Sequence, residues 1–339
     1  MFATYVHQLD PILFQVGESL ALRWYGLAYL AAFVLGYLFL KHFAERKLWV
    51  MEPSQTADFI AAAALFGVFL GGRLGYVLFY YIPENGWASI AADPLMVVRV
   101  WEGGMASHGG ILGLVVFTFF YAKKHNVSWT GLGDGLCVVA PIGLMCGRIA
   151  NFINGELYGR VAHGVSWAVK FPATLLDPKS PEAGRLGEVI RSAAQADPGF
   201  AKSISEAGSE QIQSGGEYFY IQRLMEANRD SDAVTKAIEP FLEPRHPSQL
   251  YEGLLEGAVL FAILWFIRVK FPKAPNGLLT GAFFGLYATF RIIAEQFREP
   301  DAAWVIEGIL TKGQFLSLFM YLFAAGFLLF ALRNKKAAD

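Results

Sequence analysis

Charge is scarce in this chain. Asp, Glu, Lys and Arg make up only 17% of its 339 residues, where a soluble domain usually carries about 25%. The deficit is uneven. Long stretches hold almost no charge, and the charges sit between them, which is the pattern of membrane spans joined by loops. No sign of charge dominates either. The net charge is −1, and no basic run with interleaved aromatics occurs, so nothing points to nucleic acid. Cysteine is nearly missing: Cys137 and Cys146 fall in one apolar stretch without metal or redox spacing and read as small buried hydrophobes. No cleavable leader is expected either. Residues 1–19 have no basic n-region and carry Asp10 and Glu18, so the first apolar stretch is expected to stay in the mature protein. The His and carboxylate residues have no close ligand spacing, and no cofactor motif occurs; no metal and no cofactor are expected. Gly71-Gly72-Arg73-Leu74-Gly75 looks like a phosphate loop only superficially, because it sits inside an apolar span.

What is abundant is apolar surface, 55% of the residues. Seven stretches read as spans: Leu20–Leu40, Phe59–Tyr80, Ser107–Tyr121, Leu132–Phe152, Leu250–Val269, Leu278–Phe297 and Phe315–Leu332. A helix needs about 20 apolar residues to cross the hydrocarbon core; the third stretch is the shortest, and its outer end is rich in glycine. Loop charge sets the orientation. Lys41, Arg46 and Lys47, then Lys123 and Lys124, then Arg268, Lys270 and Lys273, then Arg333, Lys335 and Lys336 fall on one side, while the opposite short loops hold little beyond Arg99 and Arg298. The basic side should face the cytoplasm. The expected fold is an all-α polytopic membrane protein with seven transmembrane helices, the N-terminus outside and the C-terminus cytoplasmic.

Residues 1–172 would hold helices 1–4 with their outer-face loops, and 245–339 helices 5–7. Between them, 173–244 is polar and carries Pro178, Pro181 and Pro198. It reads as a small outer head, a helix on the membrane surface or a mobile insertion. Within it, Glu217–Asn228 has helical spacing, with Tyr218, Ile221 and Met225 near one face. Gly67, Gly71 and Gly75 recur every four residues on the second span, and Gly109 and Gly113 on the third. Small residues at that spacing let helix backbones approach closely. No internal repeat relates the two halves.

An ionisable group inside a bilayer is costly and asks for a reason. Four segments concentrate such groups at the outer ends of the spans. In Trp101-Glu102-Gly103-Gly104-Met105-Ala106-Ser107-His108-Gly109-Gly110, glycines flank a histidine whose pKa suits proton transfer near neutrality. In the stretch Gly147 to Arg160, Arg148 and Asn151 share a helix face and Asn154-Gly155 reads as the helix stop, followed by Glu156, Tyr158 and Gly159. In Arg245-His246-Pro247-Ser248-Gln249-Leu250-Tyr251-Glu252, Pro247 suits a first helical turn, and Gln249, Glu252 and Glu256 form a polar stripe that should face the bundle interior. On the sixth span Tyr287, Arg291 and Glu295 stand four apart. Arg73 joins this group, and Tyr25 lies near the outer end of the first span, where Trp24 and Tyr25 also suit interface anchors. Each segment has a plainer reading: an interface arginine, a capping amide, or an Arg291–Glu295 pair that only neutralises itself.

Taken together, Ser107-His108-Gly109-Gly110, the segment Gly147 to Arg160, His246-Pro247-Ser248-Gln249-Leu250-Tyr251-Glu252 and Phe290-Arg291-Ile292-Ile293 with Glu295 closely resemble the bacterial prolipoprotein diacylglyceryl transferases. The likeness covers nearly the whole chain apart from 173–244, which is longer than the family's head segment. A seven-span topology with an outside N-terminus is also what the family has. The resemblance implies an enzyme of the bacterial cytoplasmic membrane, with its active site near the outer face. Such an enzyme moves diacylglycerol from phosphatidylglycerol to the lipobox cysteine thiol of a preprolipoprotein and releases glycerol 1-phosphate. It passes the family's essential roles to His108, Arg148, Asn151, Gly159 and Arg291, with Glu156, Glu295, Tyr25 and Tyr287 as supports. The residue chemistry fits. Arg148 and Arg291 can bind a phosphate that gains charge as its C–O bond breaks. A thiol of pKa about 8.5 needs a base, and His108 is the candidate, with Glu156 or Tyr287 in reserve. Asn151, Asn154, Gly159, Glu295, Tyr25, Arg73, His246 and Gln249 would complete the phosphatidylglycerol site. The rival readings are a secondary transporter and a non-catalytic receptor for lipid or signal peptide.

Overall fold

The computed structural model describes residues 4–16, 20–100, 103–206, 209–300, 305–306 and 310–338. Glu18, Trp101 and Glu102 lie outside the described residues. In chain order the elements are strands β1 (Tyr5–Val6), β2 (Ile12–Val16) and β3 (Leu20–Arg23), then helices α1 (Trp24–Glu45), α2 (Pro53–Asn85), α3 (Ser107–His125) and α4 (Trp129–Ile153). Strand β4 (Val169–Lys170) leads to the helical segments α5 (Leu186–Ala196), α6 (Pro198–Ser205), α7 (Ser209–Asp230, broken by a kink at Gly216) and α8 (Asp232–Ile238). Strand β5 (Pro244–Arg245) leads into α9 (Ser248–Lys270), α10 (Leu278–Ala294) and α11 (Lys312–Ala338). Helices α1, α2, α4, α9 and the stretch Lys312–Asn334 of α11 are long and apolar enough to cross a bilayer. Helix α10 is apolar but spans 17 residues, and α3 spans 19. The chain is thus a mostly helical multi-pass membrane protein.

The first apolar stretch departs from expectation at its start. Leu20–Arg23 is not helical but pairs antiparallel with β2, Phe14 opposite Leu22, and the helix begins only at Trp24, whose N–H donates to the Pro11 carbonyl at 3.1 Å. A short apolar run does not by itself distinguish strand from helix; a hairpin partner a few residues upstream decides it here.

The chain divides into two compact units. One comprises residues 30–143, 259–287 and 319–339. Its main seam joins α2 and α3 through glycine. A Cβ added at Gly75 would lie 2.4 Å from the Gly109 Cα, and one at Gly113 2.3 Å from the Gly67 carbonyl oxygen. Backbone therefore touches backbone, which only glycine permits. Asp134 of α4 is fully buried and accepts from the N–H groups of Gly277 and Thr280, both at 2.8 Å, and from the Thr280 hydroxyl at 2.7 Å. A carboxylate there satisfies the orphan donors at the N-terminus of α10.

The other unit comprises residues 1–29, 144–258 and 288–318. A three-stranded sheet of order β1-β4-β5 pairs Tyr5 parallel with Val169, and Val169 antiparallel with Arg245. Around it, Val6, Leu175, Val189, Ile221, Leu224 and Ile238 share one buried apolar cluster with neighbouring side chains of 173–244. Each such side chain contributes roughly 1.5–3 kcal/mol by leaving water. On α7 the buried face is Ile221 and Leu224, while Tyr218 is exposed. Tyr218 therefore does not join the face expected for it: helical spacing defines a stripe but not which edge of it is covered.

His7 follows β1 and is buried. Its Nε2 bonds the Phe152 carbonyl at 2.7 Å, and its ring stacks on Phe171 at 5.4 Å. Burial lowers its pKa to about 4, against the bond to Phe152, which acts to raise it. Neutral His7 therefore contributes stability that is complete above pH 6.5 and is lost as pH falls from 6.5 to about 4. The loss amounts to about 3 kcal/mol by the linkage relation. Thermal melts between pH 7.5 and 4 should show the decline, and His7→Gln, which keeps a donor without the titration, should flatten it.

Candidate functional site

Helix α9 carries the polar stripe into the second of these units. Gln249, Glu252 and Glu256 are all fully buried. Pro247 stands just before the helix, one place earlier than a first-turn position, within the ordinary uncertainty of a helix boundary. After Glu252 the helix widens into π-type turns over Gly253–Val259, a feature frequent at functional sites. Two glycines in this stretch let α4 come close: a Cβ at Gly253 would sit 3.3 Å from the Arg148 Cβ, and one at Gly257 2.5 Å from the Met145 Cβ.

That approach sets Arg148 over Glu252. Arg148 Nη2 lies 2.7 Å from Glu252 Oε2 and 3.9 Å from Glu256 Oε2. From α10, Arg291 Nη1 lies 2.7 Å from the same Glu252 oxygen and 3.6 Å from Glu256 Oε1, while its Nη2 pairs with Glu295 at 2.9 Å. Arg298 Nη1 donates to both Glu252 oxygens at 3.1 Å. Glu295 is itself fixed, accepting from the Thr311 hydroxyl at 2.9 Å. The Glu252 and Glu256 side chains are 0% exposed, whereas those of Arg148 and Arg291 keep 18% and 14% of their surface open. Carboxylates lie behind and guanidinium edges are presented, a layout suited to an anionic ligand.

A second cluster adjoins the first. Tyr25 Oη donates to Glu156 Oε1 at 2.6 Å, and Asn151 Nδ2 donates to Glu156 Oε1 at 2.8 Å and to Tyr25 Oη. Arg148 Nη1 reaches Asn151 Oδ1 at 3.4 Å. Helix α4 stops at Ile153, and Gly155 turns the chain at φ +69°, the left-handed exit that glycine favours. Gln249 Nε2 then donates to the Glu156 carbonyl at 2.6 Å, and the Ser248 hydroxyl to that of Leu157 at 3.1 Å. Asn154 Oδ1 is buried with no hydrogen-bond partner among the described residues.

Gly159 lies where three chain segments meet. Its N–H donates to the His246 carbonyl at 2.9 Å, and a Cβ there would be 2.5 Å from the carbonyl oxygens of both His246 and Phe297. Gly159→Ala should cost about 1–3 kcal/mol through overpacking and displace the 156–160 turn. A lower melting temperature would appear together with reduced turnover. His246 bonds Tyr251 Oη at 3.2 Å, and burial lowers its pKa. Below this turn, Arg245 and Glu182 are each 1% exposed and pair at 3.1 Å. Arg245 also donates to Ser180 Oγ at 3.0 Å and to the Gly159 carbonyl at 3.3 Å. Burial pushes the Glu182 carboxyl up, but Ser180, the Glu243 N–H and Arg245 outweigh it and hold the pKa below its usual value.

The family model for prolipoprotein diacylglyceryl transferase matches residues 11–330. The chain belongs to this family. It is 37% identical to the phosphatidylglycerol–prolipoprotein diacylglyceryl transferase of Bdellovibrio bacteriovorus, over 98% of this chain and 95% of the relative. It is 37% identical to that of Azospirillum brasilense, over 93% and 91%, and 35% identical to that of Shigella boydii, over 98% of each.

For a member of the prolipoprotein diacylglyceryl transferase family, the unit just described holds most of the residues singled out in the sequence: Tyr25, Arg148, Asn151, Asn154, Glu156, Gly159, His246, Gln249, Arg291 and Glu295. Three others belong to the unit built around α2 and α3. His108 sits in the first turn of α3 with an exposed ring. Tyr287 stacks on Phe283 at 5.8 Å. Arg73 is buried and donates to the carbonyls of Met96, Val97, Gly103 and Gly104. It thereby anchors the loop ahead of α3, a role that its glycine-rich segment did not suggest. Sequence reasoning also missed Arg298, taken for a loop charge, and the convergence of three arginines on Glu252. Both are tertiary events; the only signal was that Glu252 belongs to a buried polar stripe.

Proposed function

We propose that the chain transfers the diacylglyceryl group of phosphatidylglycerol to the lipobox cysteine thiol of a preprolipoprotein, the first step of lipoprotein maturation. The thiol sulfur attacks the diacylglycerol carbon bonded to the phosphate oxygen. That C–O bond breaks, a C–S thioether forms, glycerol 1-phosphate leaves, and the thiol proton passes to a base. The observation that carries the reading is the pair of partly open guanidiniums, Arg148 and Arg291, each 2.7 Å from one buried carboxylate oxygen. They would bind the phosphate and stabilise the second negative charge it gains on leaving.

Tyr25, Asn151 and Glu156 brace Arg148 through Asn151, and Glu295 braces Arg291. Asn154 Oδ1, buried as it stands, would accept from a glycerol hydroxyl only once the turn after α4 opens. Gln249, His246 and Gly159 hold the 156–160 turn. Arg73 acts on its own loop rather than on lipid. The general base is His108, with Glu156 and Tyr287 as the alternatives. In this reading the chain crosses the bacterial inner membrane seven times, α3 and α10 included, with the N-terminus outside and the site near the outer face.

Purified protein supplied with phosphatidylglycerol and a lipobox peptide should yield the thioether-linked diacylglyceryl peptide and free glycerol phosphate, both followed by mass spectrometry. Arg148→Ala should yield neither. Absence of both products from folded, lipid-binding wild type would defeat the proposal. His108→Gln should cut turnover by about 10²–10⁴, the usual worth of a general base. Turnover and pH profile matching wild type would move the base to Glu156 or Tyr287.

A further inference from the structure

The convergence of three guanidiniums on one fully buried carboxylate asks for more than charge balance. A buried ion pair is weak grounds for stability, since desolvation offsets most of the attraction. Glu252 nevertheless holds Arg148 and Arg291 at 2.7 Å through the same oxygen, Oε2, and Arg298 at 3.1 Å through both. Arg148 and Arg291 stand on different helices, α4 and α10, and Glu252 stands on a third, so one atom sets the distance between their guanidiniums. Arg298 differs from them: it is 4% exposed and lies beyond the end of α10.

We propose that Glu252 is the positioning residue for the transfer reaction, fixing the spacing of Arg148 and Arg291, and that Arg298 is its counter-ion. The inference rests on the transferase reading above. Arg298 adds to the compensation of the buried Glu252 charge, while Arg148 and Arg291 keep part of their side-chain surface open, 18% and 14%, towards the phosphate. Arg291 is gripped from the other side by Glu295 at 2.9 Å. Arg148 takes its lateral support from Asn151 at 3.4 Å, a weaker hold. Loss of Glu252 should therefore free Arg148 more than Arg291.

The sign of the charge change gives a test that a merely structural role would not pass. Glu252→Gln removes a negative charge beside three arginines, so the site becomes more attractive to an anionic lipid while its geometry is lost. The expected result with purified protein, phosphatidylglycerol and lipobox peptide is kcat reduced at least about 100-fold with KM for phosphatidylglycerol lowered several-fold. The variant should also melt lower, because Arg298 loses the negative partner of its hydrogen bonds to the two Glu252 oxygens. The double variant Glu252→Gln/Arg298→Gln should recover most of the melting temperature and return KM towards wild type without restoring kcat. Wild-type kcat and KM in Glu252→Gln would overturn the inference, and so would a double variant that regains kcat together with its melting temperature. An inactive wild type would overturn the transferase reading and this inference with it, an outcome distinct from an active wild type matched by its Glu252→Gln variant.

Discussion

Arg291→Lys, compared with wild type at equal membrane abundance, is expected to lose at least about 100-fold in diacylglyceryl transfer. The charge is kept, so the loss measures the fork. Arg291 uses two nitrogens in two directions, Nη1 towards Glu252 at 2.7 Å and Glu256 at 3.6 Å, and Nη2 towards Glu295 at 2.9 Å. An ammonium is a point charge on a flexible stem. It can sit between Glu252 and Glu256 or beside Glu295, but it cannot span them and still present an edge to phosphate. Losing one charge-assisted bond of roughly 1.5–3 kcal/mol corresponds to about 10–150-fold in rate, and misalignment adds to it. Product per enzyme, quantified by mass spectrometry, reads the effect. Undiminished turnover in the lysine variant would show that charge alone suffices.

Glu182→Ala is expected to destabilise the segment 173–244 by about 3–5 kcal/mol, the usual cost of leaving one member of a buried ion pair alone. Arg245 would remain buried, with Ser180 Oγ at 3.0 Å and a longer contact to Glu299 at 3.4 Å. The Tyr158 ring, 5.0 Å from the guanidinium, offsets only part of that loss. Hydrogen exchange over residues 173–245 should rise sharply in the variant, whereas Glu182→Gln, which keeps an acceptor, should show a smaller rise. Turnover should fall as well, because Arg245 also holds the Gly159 carbonyl at 3.3 Å. Unchanged exchange in Glu182→Ala would mean that water replaces the carboxylate at little cost.

Much of this arrangement was legible in local spacing. Arg148 and Asn151 are three apart on one helix and do meet, at 3.4 Å. Gly71 and Gly75 stand four apart, as do Gly109 and Gly113, and they form one seam. Such pairs follow from the helical repeat alone. Glu182 and Arg245 are 63 positions apart in sequence, and no periodicity links them. Arg298 looked like a loop charge because its partner Glu252 lies 46 positions earlier. The strand at Leu20–Arg23 was hidden for another reason: its apolar residues run straight into a helix, and only the partner strand Ile12–Val16 reveals the break. The covered edge of α7 depends on the side chains that come to lie over it, so Tyr218 could not be placed from its own helix.

The glycine seam between α2 and α3 limits how His108 can move. His108 directly precedes Gly109, which rests backbone to backbone on Gly71 and Gly75. Sliding α3 by one residue along its axis, about 1.5 Å, would drive side-chain-bearing positions into gaps that hold no Cβ. A piston stroke of α3 alone is therefore blocked. The backbone at His108 cannot slide along α3 without α2, and the exposed ring changes place by rotation about its own side-chain bonds.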